Sequence, residues 1–232
     1  MTSPNQSSSS RNLSPNALPY LYLLLDLIQN KDWTAFNEFA LQNPASFKTL
    51  SRVLSKTNLF NGMTLLHAAV RNHPSLETID CIIKICPDLP RTFDSLNRTP
   101  LHIAAGIGAN VQVIERIGAA YPEACKIQDE DCRTPLHLYC DVNCHLFDEE
   151  QLPRVPPSLE GVRTLLSTSI EPASMEDEDE ISPLEYAIMS DADVSVVKLL
   201  QKAAQKYMRK SHAKQMQGTY ANKMSRRMLA AA

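Results

Sequence analysis

Thr99-Pro100-Leu101-His102-Ile103-Ala104-Ala105 is the stretch on which the reading of this 232-residue chain turns. Thr64-Leu65-Leu66-His67-Ala68-Ala69 precedes it and Thr134-Pro135-Leu136-His137-Leu138-Tyr139-Cys140 follows it, each at a spacing of 35 residues. Self-similarity at a fixed period of this size marks a chain built from stacked units. A degenerate copy, Ser182-Pro183-Leu184-Glu185-Tyr186-Ala187-Ile188, starts 48 residues after Thr134, so 13 residues are inserted before it, and its histidine is lost. Each copy has the chemistry of a helix start. A Thr or Ser hydroxyl caps backbone N–H groups. Proline suits the first helical turn, where its missing N–H is not needed. The Leu points inward, and the paired alanines let two helices approach closely.

A second landmark keeps the same register. Pro87 and Pro122 stand 23 residues after Thr64 and Thr99. Leu76, Ile79, Ile82 and Ile83 precede the first, and Val111, Ile114 and Ile117 the second, at helical spacings of three and four. Trp33, Phe36, Phe39 and Ala40 precede Pro44 in the same way. Each proline is predicted to end its helix, because it cannot donate the next backbone bond.

T-P-L-H-x-A-A followed by a second apolar helix, at this period, resembles the ankyrin repeat. The resemblance covers about residues 20–201. It implies an all-α solenoid of about five helix-turn-helix repeats, with divergent terminal caps and an insertion in the fourth repeat. It assigns structural roles to Thr64, His67, Thr99, Pro100, His102, Thr134, Pro135 and His137, the histidines bonding the turn of the neighbouring repeat. It also implies a protein-binding scaffold that grips through the turn tips and the inward ends of the first helices. Those positions are Met63, Arg98 and Arg133 at the tips, and Arg71, Asn72, Ile107, Asp141 and Val142 on the helices. Arg98 and Arg133 occupy equivalent tips, which suggests a partner with an acidic or hydrogen-bond-accepting strip, because arginine forks favour carboxylates.

Three segments are expected. Residues 1–18 are Ser/Pro-rich and polar, the composition of a disordered tail. Residues 19–202 form the repeat domain, opening with a capping helix pair over 19–43. Residues 203–232 form a basic helix or tail. Within the repeats, 141–157 contains Pro153, Pro156 and Pro157 and cannot be one helix; the second helix is predicted to resume near Ser158, with Val162, Leu165 and Leu166 facing the core.

The net charge of −3 conceals an asymmetry. The first 197 residues carry a formal −12, and the last 35 carry +9 without a single acid. Val196, Leu200, Ala203 and Tyr207 make an apolar face, while Lys198, Lys202, Lys206, Lys210 and Lys214 recur every fourth residue as a slow spiral ridge. Such a ridge suits an acidic partner: another protein, a nucleic-acid backbone, an anionic membrane, or the chain's own acidic run of Glu171, Glu176, Asp177, Glu178, Asp179 and Glu180. That run lacks the turn-forming Gly of a calcium loop.

The three repeat histidines would fall one per layer rather than converge. His137, Cys140, Cys144 and His145 lie close in sequence, but a zinc site needs convergent ligands with unshared lone pairs. Gly106-Ile107-Gly108 lacks the third Gly of a dinucleotide fingerprint. No nucleophile motif or P-loop is present. No catalytic residue, cofactor, metal or small-molecule substrate is therefore expected. The six cysteines contain no CxxC and read as reduced thiols. Tyr20–Ile28 is far too short to span a bilayer. The expectation is a monomer of the cytoplasm or nucleus.

Overall fold

The computed structural model describes residues 17–54, 61–147 and 154–229, with the backbone alone from 214 onward. Among the described residues the chain is all-α, with eleven helices and no strand: α1 (Ala17–Gln29), α2 (Trp33–Gln42), α3 (Pro44–Leu54), α4 (Leu65–Arg71), α5 (Leu76–Ile85), α6 (Pro100–Gly106), α7 (Val111–Ala120), α8 (Pro135–Cys140), α9 (Leu159–Leu165), α10 (Pro183–Met189) and α11 (Val194–Leu229). None is long and apolar enough to cross a membrane.

The helices pack in two rows. Helices α1, α4, α6, α8 and α10 each touch the next in one row, and α2, α5, α7, α9 and α11 do so in the other. Helices α6 and α7, and α8 and α9, also pack against each other as hairpins. One continuous apolar cluster runs between the rows, from Leu24 and Phe36 through Leu65, Leu66, Ile79 and Ile82, then Leu101 and Ile114, to Leu136, Val162, Leu165, Val196 and Leu200. Burying a Leu or Ile side chain of this kind stabilises by about 1.5–3 kcal/mol, and the cluster is what short helices of six to ten residues require, since they are marginal alone.

The prolines behave as two kinds. Cys86 and Tyr121 close α5 and α7, and Pro87 and Pro122 follow directly; Pro122 opens a short 3-10 turn, Pro122–Lys126. Pro44 plays both parts: α2 ends before it as expected, capped by Asn43, and Pro44 is also the first residue of α3. A first-turn position is the one helical place where proline loses nothing. Phe47 of this extra helix is fully buried, edge-on to Phe36 with centroids 5.6 Å apart.

The insertion is irregular from Asp141 to Cys144, and α9 resumes at Leu159 with Ser158 as its cap, burying Val162, Leu165 and Leu166. Asp148–Pro153 of the insertion lie outside the described residues, as do 1–16 of the Ser/Pro-rich segment. Residues 17 and 18 of that segment belong to α1. The expected boundary at 202/203 coincides with no break, because α11 runs through it.

Candidate interaction face

The four motif copies build four equal helix starts, and three of them reach onward. In each Thr copy the backbone N–H and the hydroxyl of the Thr both donate to Nδ1 of the His three residues later. The N···N distances are 3.2, 3.1 and 3.0 Å at His67, His102 and His137, and the O···N distances 2.9, 2.8 and 2.8 Å. Nδ1 is thus an acceptor, so Nε2 carries the proton. Nε2 donates at 3.1 Å to the carbonyl of Arg98, Ile127 or Met175, each in the segment leading to the next copy. All three rings are fully buried. Burial holds His67 at about 4, His102 at about 3 and His137 at about 4, so the imidazoles are neutral at pH 7. In the last copy Glu185 takes the local half of this role, accepting from the N–H and hydroxyl of Ser182 at 2.8 and 2.7 Å. A carboxylate has no proton to pass on, and α11 follows instead of another copy.

The turns before these caps share a residue that inspection of the repeats missed. Asp94, Asp129 and Asp177 stand five positions before Thr99, Thr134 and Ser182. Oδ1 of each accepts two backbone N–H groups: Leu96 and Arg98 at 3.0 and 2.9 Å, Asp131 and Arg133 at 3.1 and 2.8 Å, Asp179 and Ile181 at 3.1 and 2.9 Å. Each turn closes with a residue of positive φ, Asn97, Cys132 or Glu180, with Gly62 at the corresponding place before Thr64. Successive turns are joined by one backbone bond apiece: Ser95 to Asn61, Glu130 to Leu96, and Glu178 to Asp131. The signal was available as an Asp at fixed distance from each cap.

This geometry corrects the expected tip chemistry. Arg98 is not a solvated fork; it is 4% exposed, with Nε 2.8 Å from Oδ2 of Asp94. Arg133, half-buried, pairs with Asp129 and Asp131. Met63 is buried. The reason is the Asp four residues earlier, which would be left charged and desolvated without a cationic neighbour. The groups actually presented at the tips are Ser95, Leu96 and Asn97 on one turn, Glu130 and Asp131 on the next, then Glu178, Asp179 and Glu180. Asp177, from the acidic run, is buried and also accepts from the Tyr186 hydroxyl at 2.6 Å.

A scan of protein-family models finds no match to this chain, and neither does a search of curated proteins.

The first-helix face is covered by the insertion. The Phe147 ring lies 4.0 Å from the Arg71 guanidinium and 5.4 Å from that of Arg98. Leu146 fills the space a side chain at Gly106 would take. Asn72 turns back on its own helix, donating to the Ala68 carbonyl at 2.9 Å, and Ile107 is buried as the cap of α6. Asp141 caps α8 and accepts from the Asn143 N–H at 2.9 Å, while Val142 donates its N–H to the Ser190 hydroxyl at 3.0 Å. Arg154 closes the insertion, donating to the carbonyls of Leu138, Asp141 and Ala105 at 3.0, 2.7 and 3.1 Å. Those oxygens lie at the ends of α6 and α8, and the Ala105 and Asp141 carbonyls also accept from the N–H groups of Gly108 and Cys144, so Arg154 adds a charged donor to them. Arg154 was not singled out in the sequence, and its role depends on contacts 13 to 49 residues away.

His137, Cys140, Cys144 and His145 do not form one centre. His137 is bonded through both nitrogens, Cys140 is buried with its thiol pushed up by desolvation, and His145 is exposed. Among the described residues no group of three His, Cys, Asp or Glu side chains could hold a metal ion.

Helix α11 packs through Val196, Leu200 and Ala203, and the Tyr207 hydroxyl donates to Glu171 at 2.8 Å. Lys198, Lys202, Lys206 and Lys210 are exposed, and among the described residues no ion pair joins them to Glu176–Glu180. The Lys214 side chain lies outside the described residues.

Proposed function

We propose that this chain is an ankyrin-repeat solenoid of about five repeats, with divergent caps, and that it acts as a scaffold binding another protein. The observation that carries this reading is the relay of three buried neutral histidines. Each is bonded on one side to its own helix cap and on the other to the segment approaching the next copy. Such a relay spends its imidazoles on holding successive units in register, and stacked units offer an extended surface for binding. The turn tips are that surface. Their exposed carboxylates, Glu130, Asp131, Glu178, Asp179 and Glu180, favour a partner with a basic contact strip. The chain works by binding rather than by catalysis, as a monomer in the cytoplasm or nucleus. Affinity capture with the full chain tests this. Lysine at positions 130, 131, 178 and 179 in place of the acids is expected to abolish capture of the main co-purifying protein. Retention of every partner by that variant refutes the tip assignment.

A second reading rests on α11. The helix continues for more than 20 residues past Tyr207, and the chain carries seven basic residues and no acid from Lys206 onward. A regulatory subunit could use it to grip nucleic acid or an anionic membrane. Charge reversal at Lys206, Arg209 and Lys210 is expected to lower the salt concentration that elutes the chain from heparin or from anionic vesicles. An unchanged elution position removes this reading.

A further inference from the structure

We infer that Arg71, Arg98 and Gly106 form a docking seat for a peptide segment bearing an adjacent Leu-Phe pair, and that Leu146-Phe147 occupies this seat as an internal ligand. The inference rests on the scaffold reading above and names the chemistry of one of its surfaces.

Three features make the seat. Gly106 stands in the motif register held by Arg71 in the preceding copy and by Asp141 in the following one. It ends α6, and a Cβ there would fall inside the Leu146 side chain, so the missing side chain is a pit of Leu shape. The Arg98 guanidinium is held by Asp94 with both side chains buried, which fixes a flat cationic surface before any ligand arrives. Arg71, at the end of α4, faces the same ring from the neighbouring copy, so that Phe147 sits against two guanidinium groups. Cation–π contacts of this kind favour an aromatic occupant over an aliphatic one.

The occupant lies at the margin of the core cluster, packed against it from one side only. Its backbone is irregular, and Leu146 and Phe147 are only half-buried. It is fastened outside the seat, on one side by buried Cys144 and the Val142–Ser190 bond and on the other by Arg154. A tethered ligand of this sort holds its seat at an effective concentration of order millimolar. A free peptide of the same chemistry is therefore excluded until the tethered copy is disabled.

The test uses the full-length chain and a fluorescently labelled synthetic peptide with the sequence of residues 141–154, carrying Cys144→Ser. Anisotropy titration is expected to show the Leu146→Ser/Phe147→Ser variant binding the peptide at least tenfold more tightly than the wild-type chain. Adding Gly106→Leu to that variant fills the pit and is expected to remove the binding. Equal binding by wild type and double variant, no binding by the double variant up to ~1 mM peptide, or survival of binding in the Gly106→Leu chain overturns the inference. Phe147→Ala, which alters one half-buried side chain outside the helices, carries the same comparison if circular dichroism shows the double variant unfolded. A negative result here leaves the capture by the turn tips standing, and loss of that capture leaves this peptide result standing.

Discussion

Acid should loosen this fold through its three relay histidines well before it protonates most carboxylates. The folded rings hold a proton only below about pH 4, 3 and 4 at His67, His102 and His137, against 6.5 for an ordinary imidazole. Desolvation is the leading cause at each. The folded chain therefore binds protons less tightly than the unfolded one, and lowering the pH pulls the equilibrium toward unfolding. The stabilisation from neutral rings is complete above about pH 6.5 and drains as the pH falls toward the folded values. Between pH 7 and pH 5 each histidine accounts for about 2 kcal/mol of loss, and the three together for about 5–6 kcal/mol. That rivals the total stability of an ordinary domain, about 5–15 kcal/mol. Asp129 titrates the other way, since burial raises its carboxyl, so its protonation in the folded chain opposes the fall. Urea unfolding followed by circular dichroism at pH 7, 6 and 5 measures the effect. His102→Gln, which cannot take up the proton, should show a drop about 2 kcal/mol smaller over the same interval. A wild-type stability that changes by less than about 1 kcal/mol from pH 7 to 5 would refute the neutral relay.

Three further outcomes follow from the packing. Asp94→Asn leaves the Arg98 guanidinium buried without its counter-charge and is expected to cost about 3–5 kcal/mol in urea unfolding, while Glu130→Gln at an exposed tip costs under about 0.5 kcal/mol. Arg154→Ala removes the charged donor shared by three helix-end carbonyls, two of which keep a backbone donor, for an expected loss of about 1–3 kcal/mol and faster amide exchange in 141–147. Two glycines make an internal comparison by thermal unfolding. Gly161→Ala drives a methyl into the Tyr139 ring and is expected to destabilise by about 1–3 kcal/mol, whereas Gly118→Ala on α7 meets open space and should stabilise by about 0.5–1 kcal/mol.

What could be read beforehand was whatever depends on neighbours in sequence. The helical character of the chain, the starts of α4, α6, α8 and α10, and the buried positions of α9 and α11 all follow from caps and periodicity within a few residues. Pro44 marked the end of α2 but gave no notice of α3, because a proline just past an apolar run can also begin a new helix. Arg98 misled because an arginine beside a turn looks solvated until its Asp four residues earlier is noticed as a partner. The insertion over Arg71 and Gly106, and the reach of Arg154 to Ala105, were illegible for a different reason. They join residues 40 or more positions apart with no repeating pattern to announce them.

The additional chain in the fourth copy enters after α8, beyond the end of the helix that its Thr134 cap begins. The bond from Glu178 to Asp131 therefore matches those from Glu130 to Leu96 and Ser95 to Asn61, although the intervening segment is longer. Length added there leaves the stride of the ladder untouched. The distance from rung to rung is thus set by the caps and turns, not by the number of residues strung between them.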